Sequence, residues 1–541
     1  MKKILIKTLA LGLSAFTLGA CVDMSEDVYS SIVSENFKPT DKDIMSVMGP
    51  SYTAMQNLMF GWIGNFDCQE ECSDEIVTPA RPSGWVDGGV YRTMHEHNWT
   101  SLQAHCGNLW ANCFTGINNC NRSIYQIESG ELPIESGAEG YLAELRAMRA
   151  LYYFYLLDGF RAVPIVEKYD VPEDFLPEQS NAKQVFEFIE RELKGVMNNL
   201  SDVVDQTTYG RMTVYAAKFL LARLYLNAEV YIGEPKWSEC EALCTELMNN
   251  GGKFILEDDY KTNFLTKNEV SKEIIFAVPF DELYGGWFHL HNKTLHPANQ
   301  ATYNLREQPW GGNCAIPQFI DTYDPDDKRL SDTWIMGPQY DMEGNELLCV
   351  YGDDKGTPLE FKNYVTGIEE TAEWEGYRIG KYEIKQGALG ALSNDFPLFR
   401  YADVYMMKAE CLLRMGKPGA GALVTEVRER AFRENPNKAD VTDADLQQGS
   451  SYKYGHIVKG VMAEEQGGAD VQYGRMLDEL GWEFAAEAHR RMDMIRFGVF
   501  TTKMWLSKTR TDQPYRVFFP IPDSQLKKNP NLKQHAEYAK N

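Results

Sequence analysis

The sequence predicts a mostly α-helical protein in which tetratricopeptide-type helix pairs form a scaffold around a large irregular insert that carries short strands. The first observation behind this prediction is a weak repeated unit, found at 149–154, 221–226 and 408–413, in segments with Ala and Leu at helical spacing. The second is the loss of periodicity in residues 253–400, which hold many turns and only two strand-like runs, at 273–279 and 377–384. With 541 residues and 44% hydrophobic content, the chain can bury a substantial core.

The N-terminal residues have the features of a bacterial lipoprotein signal. Lys2, Lys3 and Lys7 form a basic n-region, the mainly apolar run at 4–16 is too short to span a membrane stably, and small residues come just before Cys21. We expect removal of residues 1–20, acylation of Cys21 and lipid anchoring of the mature chain, without a membrane-spanning helix. The acidic and polar residues at 22–27 resemble the tether that routes Bacteroidetes lipoproteins to the cell surface, which implies an outer-membrane location. The alternative is an ordinary secretory signal with an incidental cysteine.

Helical periodicity predicts the scaffold helices. The first is expected to break at Gly49 and Pro50. The third, at 139–158, is apolar on two faces and must therefore be sandwiched between other helices; Asp158, Gly159 and Pro164 prevent its continuation. The predicted spans are 40–60, 100–128, 139–158, 182–199, 212–229, 237–249, 402–415, 420–433 and 482–496. They outline a scaffold at about 40–60, 100–250 and 400–500, with loops at 61–99 and an insert at 253–400.

Charge and cysteine content narrow the classes of function. The formal net charge of −24 disfavours a nucleic-acid surface and makes a neutral ligand easier to accommodate. Cys106, Cys113 and Cys120 recur every seven residues on one predicted helix, so neighbours lie about 10 Å apart, beyond disulfide reach. We predict buried free thiols. Because no CxxC pair is present and the histidines near 95–97 and 289–296 lack further ligands, no metal or cofactor is expected.

Tryptophans in the aperiodic segments are candidates for a ligand-binding surface. Trp287 and Trp310 each stand beside a Gly-Gly pair. Flanking glycines bring the backbone close and leave an indole face open, which favours a ligand-facing role. Trp62, Trp99 and Trp110 are expected in the core, the last because it lies on the cysteine-bearing helix.

The segment at 482–496 combines ions with apolar residues. Glu487 precedes Arg491 by four positions, and such a pair stabilises an exposed helix by only about 0.2–0.5 kcal/mol. We therefore predict a buried, satisfied ionic network. The enzymatic alternative, for which no nucleophile or cofactor motif is found, is a catalytic cluster of Glu483, Glu487, His489 and Asp493.

Six stretches carry a family resemblance that covers essentially the whole chain. They are the lipobox at 18–21, ELRAMRALYYFYLLDGFRAVPIV at 144–166, RMTVYAAKFLLARLYLNA at 211–228, FRYADVYMMKAECLLRMG at 399–416, LGWEFAAEAHRRMDMIRFG at 480–498 and FPIPDSQLKKNPNLKQHAEY at 519–538. In these stretches the chain resembles the SusD/RagB family of surface glycan-binding lipoproteins.

The resemblance implies a SusD-like fold and a non-catalytic protein that captures glycan at the cell surface and delivers it to a SusC-like TonB-dependent transporter. Family members that bind β-glucans such as xyloglucan place one tryptophan in the early loop and two in the insert. The residues at comparable places here are Trp85, Trp287 and Trp310, and the candidates for polar contacts, chosen by proximity in sequence, are Arg81, Asp87 and Tyr91.

Two other functions stay open at this point. A glycoside hydrolase would need two carboxylates about 5 to 9.5 Å apart across the sugar, and the sequence holds 78 acidic residues. A lid for a peptide or another non-glycan nutrient would use the same scaffold.

Overall fold

The structure, a computed structural model, describes residues 38–82 and 85–539. Cys21 and the predicted signal at 1–20 lie outside these residues. Among the helices described, none combines the length and the apolar character needed to cross a membrane.

The regular structure is mostly helical, as predicted. The α-helices are α1 (Asp41–Phe60), α2 (Asn65–Glu70), α3 (Val90–His95), α4 (Ala104–Glu128), α5 (Ala138–Phe160), α6 (Ala182–Val196), α7 (Val214–Leu226), α8 (Ala228–Ile232), α9 (Trp237–Met248), α10 (Leu290–Thr294), α11 (Gln300–Tyr303), α12 (Pro317–Ile320), α13 (Lys328–Thr333), α14 (Tyr401–Arg414), α15 (Ala420–Glu429), α16 (Asp443–Leu446), α17 (Gly474–Phe484), α18 (Arg490–Arg496) and α19 (Asp523–Lys528).

The strands are short and lie mainly in the insert. They are β1 (Ile76–Val77), β2 (Val163–Pro164), β3 (Gln179–Ser180), β4 (Ile274–Val278), β5 (Cys314–Ala315), β6 (Trp334–Ile335), β7 (Gly337–Pro338), β8 (Glu360–Phe361), β9 (Arg378–Ile379), β10 (Phe396–Arg400), β11 (Gly455–Val458), β12 (Val461–Glu465) and β13 (Trp505–Leu506). The longest pairings are antiparallel, β4 with β10 and β11 with β12. The strand-like run at 273–279 is thus confirmed as β4, whereas only two residues of the run at 377–384 form a strand.

The long helices stack in sequence as helix pairs. α5 packs between α4 and α6, and α9 packs between α7 and α14. Every residue from Ala147 to Phe160 is buried, which confirms that α5 is covered on both faces. Gly116 of α4 makes the close approach possible, since a Cβ there would lie 2.2 Å from the ring of Tyr152. α5 ends later than predicted: Arg161, with φ 62°, terminates it after Phe160.

The predicted break in the first helix is wrong. α1 runs continuously through Pro50, and α4 packs along it. Asn119 Nδ2 donates to the carbonyl of Pro50 at 2.9 Å, and Ser123 Oγ donates to the carbonyl of Val47 at 3.0 Å. A proline removes one helical hydrogen bond, and packing on α4 outweighs that loss.

The predicted helix at 482–496 is also wrong, because a loop with left-handed residues separates α17 from α18. Ala486 and Ala488 have φ values of 60° and 61°. This loop turns Glu487 inward, where Arg400 Nε donates to its Oε2 at 2.6 Å. The helical pair of Glu487 with Arg491 therefore does not form, and Arg491 instead donates to Asp158 at 2.7 Å.

The predicted buried ionic network is confirmed. Glu483 accepts hydrogen bonds from three buried guanidinium groups, at 2.5 to 3.2 Å, contributed by Arg329, Arg400 and Arg430. Despite burial, Arg430 and Arg400 hold the pKa of Glu483 below its ordinary value. Glu483 thus serves as an ionised structural anchor between α17, α13 and β10.

The cysteines from Cys68 to Cys411 are buried free thiols, as predicted. Burial raises the pKa of Cys72 and of Cys120 to about 12, so both stay protonated near neutral pH. Within residues 38–82 and 85–539, no group of three His, Cys, Asp or Glu side chains is arranged to hold a metal ion.

Candidate functional site

Four tryptophans from the early loop and the insert meet at the surface and form the four-tryptophan cluster: Trp62, Trp85, Trp287 and Trp310. The ring centroid of Trp62 lies 6.4 Å from those of Trp85 and Trp287 and 6.2 Å from that of Trp310. Trp85 and Trp310 are nearly parallel, with centroids 6.0 Å apart. Trp62 and Trp287 are 41% and 39% exposed, and the other two indoles are partly exposed. The structure thus brings together the three tryptophans selected from the sequence and adds a fourth.

The added residue, Trp62, was expected in the core and is instead at the tip of the turn between α1 and α2. Gly61 and Gly64 make this turn possible, since a Cβ at either would lie 2.5 Å from a backbone oxygen of α1. Asn108 Nδ2 of α4 donates to the Trp62 carbonyl at 2.7 Å and fixes the turn. The tight turn leaves no room for the indole inside and directs it outward.

The other two tryptophans expected in the core are confirmed there. Trp99 is fully buried, and Trp110 is 4% exposed. Trp62 has a flanking glycine, as Trp287 and Trp310 do, but this is a weaker signal than a Gly-Gly pair: Trp482 follows Gly481 and is only 4% exposed.

Close backbone approach supports Trp85 and Trp310. A Cβ at Gly312 would lie 2.9 Å from the Cε2 and Cζ2 atoms of Trp85, so only glycine fits beneath this indole. Gly311 has φ 71°, in the left-handed region. The backbone amide of Trp310 donates to the carbonyl of Asn292 at 2.7 Å, which fixes the backbone of Trp310 to α10.

Trp287 is held from behind and from the side. Its ring stacks on the imidazole of His289 with centroids 4.1 Å apart, and its Nε1 donates to the carbonyl of Gly390 at 3.2 Å. Burial lowers the pKa of His289 to about 4, so the imidazole is neutral near pH 7. The stack therefore adds no charge to the surface.

Of the three polar candidates, only Asp87 lies exposed beside the cluster. Partial burial raises the pKa of Asp87 above its ordinary value. Arg81 is 5% exposed and donates from Nη1 to the carbonyls of Ala372 and Glu375, at 2.9 and 3.0 Å. Tyr91 is 2% exposed and stacks behind Trp85, with centroids 6.0 Å apart. Arg81 and Tyr91 thus lie beneath the surface.

A buried ionic group, not anticipated from the sequence, joins the early loop to the insert under the cluster. Lys293 Nζ donates to Asp67 and, at 3.0 Å, to Glu71 Oε1, both near α2. It also lies 4.4 Å from the ring centroid of Tyr91. Although burial alone would lower it, the two carboxylates raise the pKa of Lys293 above its ordinary value. These partners are more than 220 residues apart in sequence, and no local pattern connects them.

Comparisons with known proteins agree with this architecture. The sequence model described as "SusD family" matches residues 272–538, and that described as "Starch-binding associating with outer membrane" matches 67–226. The starch-binding protein SusD of Bacteroides thetaiotaomicron is 24% identical, over 87% of this chain and 85% of that protein.

Solved structures have the same fold. A SusD superfamily protein from Parabacteroides distasonis superposes with a TM-score of 0.69 at 20% identity, covering 92% of this chain and all of that one. Surface glycan-binding protein A from Bacteroides thetaiotaomicron, solved in complex with laminarihexaose, gives a TM-score of 0.67 at 17% identity, covering 92% and 99%. The chain therefore belongs to the SusD/RagB family.

Proposed function

We propose that this protein is a non-catalytic glycan-binding protein that captures polysaccharide on the four-tryptophan cluster. The observation that carries the proposal is the meeting of four indoles at one exposed surface, with centroids 5.8 to 6.4 Å apart. The C–H faces of sugar rings stack on indoles, and each such contact contributes about 1 kcal/mol beyond area burial. Four indoles provide a weak but extended site, which suits reversible capture.

The chemistry of the cluster favours a neutral glycan. Its surface consists of indoles backed by a neutral imidazole, and Asp87 is an exposed charge beside it. An anionic sugar would meet this carboxylate in a chain of formal net charge −24. We propose a neutral β-glucan, with xyloglucan as the first candidate; the laminarihexaose complex of a structural relative makes laminarin a close second.

Polar recognition is assigned within this proposal to Asp87, whose carboxylate can accept hydrogen bonds from sugar hydroxyls. Arg81 and Tyr91 act beneath the indoles. Arg81 holds the backbone of Gly312, and the ring of Tyr91 supports that of Trp85.

We further propose the cellular setting. Acylation at Cys21 would anchor the protein at the cell surface, and the matched description of an outer-membrane-associated starch-binding family supports that location. There it would deliver glycan to a SusC-like TonB-dependent transporter. Co-purification of a large β-barrel partner from outer membranes with the tagged, lipidated protein tests this part separately.

Affinity electrophoresis tests the binding function directly. We expect xyloglucan or laminarin in the gel to retard the wild-type protein, and the variant W85A/W287A/W310A to run as in a gel without glycan. Trp237→Ala, a partly buried indole on α9, is the matched control and should be retarded like wild type. Failure of every neutral glycan in a panel that includes starch to retard the wild type would refute glycan capture. Steady release of reducing ends during prolonged incubation would refute the non-catalytic assignment.

A further inference from the structure

A second pair of aromatic rings lies in the insert, outside the four-tryptophan cluster. Trp374 and Tyr364 have ring centroids 5.9 Å apart and planes inclined by 25°. Tyr364 is 37% exposed, and Trp374 is partly exposed. Trp374 also packs on the buried side chains of Cys349, Leu359 and Phe361, while part of its ring stays at the surface.

Both rings are fixed by hydrogen bonds and packing. Trp374 Nε1 donates to Asp354 Oδ2 at 2.9 Å, and Tyr364 Oη donates to the carbonyl of Lys459 at 3.2 Å. The turn between β11 and β12 supports Tyr364 closely, since a Cβ at Gly460 would lie 2.3 Å from its ring. The rings therefore keep their orientation without a ligand, as a stacking surface needs.

A buried arginine connects this pair to the four-tryptophan cluster. Arg81 Nε donates to the carbonyl of Gly312, the residue on which Trp85 rests, at 3.3 Å. Its Nη1 donates to the carbonyls of Ala372 and Glu375, which flank Trp374. One guanidinium group thus sets the backbone under both aromatic surfaces.

A cleft of about 510 Å³ is lined by residues that neighbour Trp85 and residues that neighbour Trp374 in sequence. Pro82 and Val86, next to Trp85, line one wall. Tyr351 and Asp354, the latter bonded to Trp374, line the other. The cleft is open to solvent, so a chain that lies on the cluster can continue across it.

We propose that Trp374 and Tyr364 form a second stacking surface for the same glycan chain, so that long polysaccharide engages both surfaces and short oligosaccharide engages the cluster alone. This rests on the proposed function. Two linked contacts on one chain raise the affinity because the second is intramolecular. The protein would therefore discriminate by chain length.

Lys362 covers part of this second surface. Its Nζ lies 5.2 Å from the Trp374 ring centroid. The lysine side chain is 54% exposed, and its ion pair with Glu360, at 3.5 Å, is also exposed. Such a pair is weak in water, so a sugar ring can displace the ammonium, which is then free to donate to a hydroxyl.

Isothermal titration calorimetry with polymer and short ligands of two glycans tests the proposal: xyloglucan and its heptasaccharide, laminarin and laminaritriose. We expect Trp374→Ala and Tyr364→Ala each to weaken binding of the polymer at least fivefold and to leave binding of the short ligand within twofold of wild type. Tyr364→Ala provides the cleaner result, since this ring is the more exposed of the two. The control is Tyr169→Ala. This ring is 40% exposed and lies beside the ring of Tyr125. Tyr125 is about 25 Å along α4 from Asn108, the residue that fixes the turn of Trp62, so the control lies far from the cluster.

The outcomes separate the two proposals. Unchanged polymer affinity in both variants overturns the second surface and leaves the cluster standing. Equal losses for polymer and short ligand also overturn it, because the change would then act through the cluster. Absence of binding by the wild type to all four ligands refutes the neutral β-glucan assignment, and the second surface for such a chain with it.

Discussion

Trp62→Ala tests the assembly of the four-tryptophan cluster most sharply, because this residue was assigned to the core from the sequence and lies at the surface in the structure. Its indole is 41% exposed and adjoins three others at 6.2 to 6.4 Å. Removing it takes away a surface for the ligand and a neighbour for the three remaining rings.

The two effects have different magnitudes. Aromatic pairs contribute about 0.5–1.5 kcal/mol each, and the three pairs of Trp62 are near the upper limit of the distance range, so unfolding should become easier by only about 1–3 kcal/mol. Loss of one stacked sugar, with some disorder in the other rings, should weaken glycan binding by about 1–2 kcal/mol, or roughly 5- to 30-fold. Trp62→Phe should retain part of the affinity.

The assay is calorimetric titration with xyloglucan and laminarin, combined with urea unfolding of the same samples. Trp237→Ala, which removes an indole from α9 away from the cluster, should lose comparable stability and no affinity. Wild-type affinity in Trp62→Ala for a glycan that W85A/W287A/W310A no longer binds would refute the inclusion of Trp62. Equal loss of affinity in Trp237→Ala would show that the effect is one of stability.

Two further predictions concern the scaffold and the support of the cluster. Glu483→Ala should lower the free energy of unfolding, measured in urea, by about 3–5 kcal/mol, because three buried arginines lose a shared partner. The control Glu464→Ala, on the exposed strand β12, should change it by less than about 0.5 kcal/mol. Similar values for the two variants would contradict the buried network. The pKa of His289 falls from 6.5 in the unfolded chain to about 4 in the fold, so its contribution to stability is full above pH 6.5 and should fall by about 3 kcal/mol as the pH drops to 4. Other buried imidazoles titrate in the same direction, among them His291, whose pKa burial also lowers to about 4. His289→Phe keeps a ring against Trp287 and should therefore reduce the loss of stability between pH 7.5 and 4 by about 3 kcal/mol without abolishing it; an unchanged slope in urea unfolding would contradict this.

Periodicity predicted the scaffold because the spacing of apolar residues along a long helix indicates which of its faces are buried. In α5 the two apolar stripes correspond to a helix buried on both faces from Ala147 to Phe160. The helix boundaries could not be predicted as well. Packing on α4 keeps α1 helical through Pro50, and the chain bends at Glu487, where the carboxylate pairs with the buried Arg400. Both effects come from residues distant in sequence.

Within the candidate site, flanking glycines identified Trp287 and Trp310, and the same signal at Gly61 and Gly64 was present for Trp62. Gly61 also follows the end of a helix, where glycine is common for conformational reasons, so the signal for Trp62 was ambiguous. Proximity in sequence was a poor guide to polar contacts, because Arg81, four residues before Trp85, donates inward to three carbonyls. Neighbours in an irregular loop share a region but not a direction.

The ionic contacts beneath the cluster explain how two aperiodic segments hold four indoles in a fixed arrangement. Apolar packing alone is non-directional and would allow the early loop to slide on the insert. Lys293 joins the insert to Asp67 and Glu71, and Arg81 joins the early loop to the carbonyl of Gly312, so each segment reaches into the other with a directional bond. Because these groups are buried, a displacement that separated them would leave charges unpaired, at a cost of several kcal/mol. The indoles are thereby ordered before a ligand arrives, so that stacking is not offset by the entropy of ordering the loops.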